Sequence, residues 1–143
     1  MAQFIGSTIR RLSAVEVDRI RKQYPNHSNP KWITEGEFSW LHKGDYINVP
    51  KGFVCDGSSG GPDLGHSFLI HDWLYATHTI GDRIITRQEA DQIMIDILKW
   101  ERASMYAIAV ATLTKLNPFW AFSRAWANSK GARIIEEEVS LDD

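Results

Sequence analysis

A chain of 143 residues that is 43% hydrophobic and 24% charged supports one soluble globular domain with its own core. A net charge of −2 speaks against nucleic acid as a general partner, and a single cysteine, Cys55, rules out an internal disulfide. No stretch reaches the roughly 18 uncharged apolar residues of a membrane span, and the N-terminus lacks the apolar core of a signal peptide.

Residues 13 to 24, "SAVEVDRIRKQY", open with Ser13 and Glu16 at capping-box spacing and predict a short helix. "YPNHSNP" then breaks it, and residues 1–30 read as a peripheral arm. In "WITEGEFSWLHKGDYINV" (32–49) Phe38 and Trp40 alternate with polar neighbours, "HKGD" is a turn, and Tyr46, Ile47 and Val49 follow. That pattern predicts an antiparallel hairpin. The next 17 residues, "VPKGFVCDGSSGGPDLG" (49–65), hold five glycines and two prolines and predict a long loop.

Helical patterns follow over about 66–78, over Thr86 to about Arg102, and over 104–116. The second opens with Thr86 and Glu89, again at capping spacing. The third, "SMYAIAVATLTKL", is apolar on most sides and is expected to be central and tightly packed. "FWAFSRAWANSKG" (119–131) predicts a further, aromatic helix, and the acidic end, "IIEEEVSLDD", a frayed tail. The aromatic helix is most simply core. Its alternative is a lipid- or partner-facing surface carrying Phe119, Trp120, Phe122, Arg124 and Trp126.

The chemistry concentrates in "SFLIHDWLYATH" (67–78). On a helix, His71 and Tyr75 are i and i+4 and share a face. Asp72 lies about 100° round, toward the glycine loop. In the next helix Asp91 falls in phase with Met94, Ile95 and Leu98. A carboxylate on an apolar stripe needs partners, and His71 and Tyr75 are the evident ones. An Asp that binds one imidazole nitrogen fixes the tautomer and leaves the other as a base. Asp72, loop carbonyls and the Asp56 side chain are hard oxygen donors of the kind Ca²⁺ takes. Two other readings stay open. The four polar residues form a buried network that only specifies the fold, or His66, His71, His78 and Asp56 hold zinc at a spacing that shares no helix face.

His-Asp-x-x-Tyr on one helix, a Gly-rich loop before it and an Asp on the next helix resemble the phospholipase A2 active site. The resemblance implies His71 as general base, Asp72 as calcium ligand, and Tyr75 and Asp91 as residues that orient the His. The "CDGSSGGPDLG" loop is closest to the bacterial and fungal form, which implies Asp56-Gly57 as further calcium ligands. "EAD" before the apolar helix is similar to the phospholipase domain of parvovirus capsids. The cysteines that flank the His in secreted phospholipases are absent, with Ile70 and Leu74 in their places. "VPKGFVCDGSS", "HDWLY" and "TRQEAD", in this order over about residues 36–115, also resemble an uncharacterised domain family of tailed phages and bacteria, which implies a viral origin.

The resulting expectation is a single α+β domain over 1–143. It has a mainly helical, phospholipase A2-like core of two antiparallel central helices (31–131), a small N-terminal β-hairpin, a Gly-rich loop, and an acidic tail over 132–143. The expected function is a Ca²⁺-dependent phospholipid esterase of a phage or virus. The alternative is a non-enzymatic virion or accessory protein on the same scaffold. Expected partners are a phospholipid surface or other virion proteins, and the expected location is the virion or the host cytoplasm.

Overall fold

The computed structural model describes residues 4–6, 9–25, 30–55, 67–101, 105–116, 126–131 and 134–135. In chain order they form β1 (Phe4–Gly6), β2 (Ile9–Arg11), α1 (Ala14–Gln23), β3 (Trp32–Thr34), β4 (Phe38–His42), β5 (Asp45–Val49) and β6 (Phe53–Cys55). Then come α2 (Ser67–Thr77), β7 (Thr79–Ile80), β8 (Arg83–Ile84), α3 (Arg87–Trp100), α4 (Met105–Leu116) and β9 (Ile134–Ile135). The strands make three small sheets, ordered β1-β4-β5, β2-β3-β6-β9 and β7-β8, with antiparallel pairing throughout the described residues.

The local signals act as their chemistry requires. Ser13 caps α1 by accepting from the Glu16 amide, and Glu16 returns a bond to the Ser13 amide, a closed capping box. Thr86 caps α3 through the Glu89 amide. In the β4–β5 hairpin His42 faces Asp45 across a two-residue turn in which Lys43 and Gly44 have φ of 48° and 85°. Positive φ at both positions matches the right-handed twist of the strands.

The alternation of β4 and β5 points Phe38, Trp40, Ile47 and Val49 inward and leaves Tyr46 and Asn48 exposed. β6 is buried on both faces. Phe53 and Cys55 enter the main core, while Val54 turns to a second cluster with Leu12, Ile20 and Ile33, under α1. Thr34 is buried by pairing: its hydroxyl donates to the Pro50 carbonyl and accepts from the Phe53 amide.

The expected helical, phospholipase A2-like core is therefore corrected. The architecture is mixed α+β, and the main core joins the inward faces of β4, β5 and β6 to α2 and α3. Its three largest fully buried side chains, Trp40, Phe38 and Phe53, all come from strands. Each fully buried aromatic is worth roughly 1.5–3 kcal/mol of apolar burial, so the sheets hold the core as much as the helices do. The expected arm supplies β1 and β2 to the two larger sheets, and the expected tail begins with β9, paired to β6. α4 is not central either. Ile108, like Met94, packs on Ile95 and Leu98 of α3, while Met105, Tyr106 and Leu113 are 88%, 80% and 67% exposed. An Ala-rich apolar helix reads the same from sequence whether one or both of its sides are covered. No described helix is long and apolar enough to cross a membrane.

Candidate functional site

α2 is apolar on most of its circumference, with Leu69, Ile70 and Leu74 fully buried. His71 and Tyr75 are half-buried on the face between them. The helix stops where His78 takes the left-handed conformation, φ 60°, after its amide closes on the Leu74 carbonyl. The i, i+4 pair His71 and Tyr75 faces α3, with ring centroids 4.3 Å apart.

Asp91 projects from α3 onto this face and has no solvent exposure. Its Oδ1 lies 2.7 Å from His71 Nε2 and accepts from the Tyr75 hydroxyl at 2.9 Å. Its Oδ2 accepts from Arg87 Nη1 at 3.1 Å, one turn earlier on α3. Arg87 is itself buried, so this is an ion pair inside the protein rather than on it. A lone carboxylate there would be strongly unfavourable; a guanidinium and two further donors compensate it.

The pair decides the tautomer of His71. An ionised carboxylate only accepts, so Nε2 carries the hydrogen and Nδ1 holds the lone pair. The His71 side chain keeps 18% of its surface exposed. Burial, then the charge of Asp91 and the bond to it, push the Tyr75 hydroxyl far above its ordinary 10.0. Tyr75 therefore stays a neutral donor that orients Asp91. Together the four residues present one oriented imidazole at the edge of a buried Arg87–Asp91 ion pair.

The sequence reading placed His71, Tyr75 and Asp91 together, and the structure brings all three into contact. Asp72 is half-buried on α2, next to His71. Asp56, Gly57 and His66 lie outside the described residues. Among the described residues no three His, Cys, Asp or Glu side chains are grouped to hold a metal ion. Asp72 is nonetheless a hard oxygen donor, the ligand type calcium requires.

Phe119, Trp120, Phe122 and Arg124 also lie outside the described residues. Trp126 is described, and it is half-buried beside the site. Its indole stacks on His78 at 3.7 Å and 4°, meets Tyr75 edge-on at 4.9 Å, and its carbonyl lies 2.8 Å from His78 Nε2. Trp126 thus walls the tyrosine.

Sequence reasoning missed Arg87. The signal was present in "RQEAD", where an Arg four residues before an Asp shares its helix face. It also missed a second His–Asp contact on α3. His42 Nε2 lies 2.8 Å from Asp96 Oδ2, and Gln92 donates to Oδ1 at 2.8 Å. Two open grooves, of about 680 and 540 Å³, lie beside α1 and beside Trp73 and Thr77, and His71 lines neither. No family model matches the chain, and neither a curated protein nor a solved structure matches it.

Proposed function

We propose that the protein is a hydrolase of phospholipid esters, in a phage or virus, with His71 as the general base. The observation that carries this reading is the 2.7 Å contact of His71 Nε2 with buried Asp91, which leaves Nδ1 as the acceptor. Nδ1 takes a proton from a water molecule as its oxygen attacks the ester carbonyl. Asp91 stabilises the imidazolium that results. That proton then passes to the departing alcohol oxygen as the acyl C–O bond breaks, releasing a fatty acid and a lysolipid. Asp72, with Asp56 and Gly57 of the glycine loop, would hold a calcium ion, which supplies positive charge for the developing oxyanion.

A second reading has its own support. Arg87 and Asp91 are both buried, and every oxygen of Asp91 has a partner. A buried carboxylate paired on both oxygens also serves a non-enzymatic virion or accessory protein by fixing how α2 packs on α3.

Fatty acid release from phospholipid vesicles separates the two. The enzyme reading expects release with calcium, none with chelator, and a loss on His71→Gln of at least the roughly 100-fold that a general base contributes. Release that survives chelation or His71→Gln overturns the mechanism. A folded protein with no release under any condition supports the structural reading.

A further inference from the structure

Among the described residues β5 is the longest edge strand, 5 residues against 3 or fewer for every other edge. Its register with β4 decides which of its main-chain groups are used. His42 and Asp45 close a two-residue turn, so they form a hydrogen-bonded pair, and in an antiparallel ladder such pairs alternate with non-bonded ones. Ile47 and Val49 therefore bond to Trp40 and Phe38, whereas the N–H and C=O of Tyr46 and Asn48 point away from β4. No described element bonds to them there. Proteins usually blunt such an edge with a charge, a proline or a bulge. From Tyr46 to Val49 this edge carries none of these, and Tyr46 and Asn48 are exposed. The open groove of about 540 Å³ lies beside it. Trp73 and Ala76 of α2 and Ile80 of β7 line the other side, and Lys130 is the one charged residue on the lining. Lys130 is exposed and makes no ion pair among the described residues.

We infer that this edge binds an extended peptide of another protein, added to β5 as a strand, with an apolar side chain over Trp73 and an acidic one at Lys130. Two donors and two acceptors, repeated at every second residue, match a chain in the same extended conformation. The Asn48 side chain is held on the outer face, where its oxygen accepts from the Ser39 hydroxyl at 2.6 Å, so it does not cover the edge. Alternate residues of an added strand turn toward the groove, where half-buried Trp73 offers an apolar ring. The Gly131 amide donates to the Ala76 carbonyl at 2.7 Å, which fixes the backbone next to Lys130 against α2. No acid lines the groove, so an acidic side chain meets Lys130 without competition. His71, Tyr75, Arg87 and Asp91 take no part, so the surface stands whether or not the chain is an esterase.

The test pans a random phage-displayed library of peptides about seven residues long, an ordinary strand length, against the full chain. The most enriched peptide is then made synthetically for fluorescence anisotropy and amide-resolved NMR. It should combine an apolar residue with an Asp or Glu, lack a central proline, and shift the amides of Tyr46, Asn48 and Lys130. Methylating its main-chain nitrogens one at a time should weaken binding about tenfold at alternate positions and less than about twofold between them, because only every second N–H faces β5. Asn48→Pro removes one outward N–H and leaves the ladder to β4 in place, and should weaken binding about tenfold. If that variant does not fold, Lys130→Glu on the exposed rim should weaken binding about fivefold, and Lys130→Arg should keep it. No enriched peptide, shifts confined to other amides, or equal losses at every methylated position overturns the proposal. Concentration-dependent dimerisation that Asn48→Pro abolishes also overturns it, and assigns the edge to a second copy of the chain.

Discussion

One helix, α3, carries two aspartates that each meet a histidine, and the two contacts are differently built. Asp91 is fully buried, paired to buried Arg87, and takes His71 and Tyr75 from α2. Asp96 keeps 29% of its side chain exposed and takes His42 from the end of β4 and Gln92 from its own helix. The first cannot be hydrated if a partner is removed; the second can. The same pair of residue types is therefore an obligatory network in one place and a tie between hairpin and helix in the other. Burial, not the His–Asp distance, decides which.

Asp91→Ala should draw the widest line between them. It strands a buried guanidinium and two other donors, and urea denaturation should show a loss of roughly 3–5 kcal/mol. Asp96→Ala should lose about 1 kcal/mol, because water replaces the missing acceptor. Equal losses would mean that burial does not separate the contacts.

Coupling sharpens the contrast. The combined Arg87→Met and Asp91→Leu chain should be more stable than the sum of the single losses predicts, by about 0.5–3 kcal/mol, because the apolar pair leaves neither charge alone. Strict additivity would show that Arg87 and Asp91 do not stabilise each other.

A smaller effect is expected at Tyr75. Tyr75→Phe removes one of two donors to Asp91 Oδ1 and should cost about 0.5–1.5 kcal/mol. In the intact protein the Tyr75 phenolate should not form at 10.0, its ordinary value; it should appear only as the chain unfolds in alkali. Folding holds the proton on this phenol, so its contribution is present below 10.0 and falls as the pH rises beyond it. A spectrophotometric titration in which Tyr75 ionises reversibly at 10.0 in the folded state contradicts its burial against Asp91.

The smallest effect is the acid dependence of the outer contact. Burial raises the Asp96 carboxyl, but the bonds from His42 and Gln92 and the nearby cations outweigh it and hold it below its ordinary 3.8. The unfolded chain therefore binds this proton first as the pH falls. The contribution of Asp96 is present above 3.8 and is lost as the pH drops below that value toward the folded one. The stability difference between the wild type and Asp96→Asn should shrink over that interval, and a difference that grows there would reverse the assignment.

What the sequence determined by itself is whatever depends on neighbours three or four residues apart. Ser13 with Glu16 and Thr86 with Glu89 start helices because a side-chain oxygen meets an amide within one turn. His71 and Tyr75 share a face because a helix turns every 3.6 residues. Asp91 on an apolar stripe announced that it needed partners, and the nearest titratable face supplied them. The tertiary structure decided the rest. β1, β2 and β9 are three or fewer residues long and carry no readable alternation; they are strands because β4, β3 and β6 offer them open edges. The Gly81 turn of the β7–β8 hairpin was written as "IGDR" but hidden behind a helical run. His42 and Asp96 stand 54 residues apart, a distance over which no local pattern operates. The apolar surface of α4 looked like core because hydrophobicity states only what prefers burial; which surfaces obtain it depends on how many faces the strands and helices leave to cover.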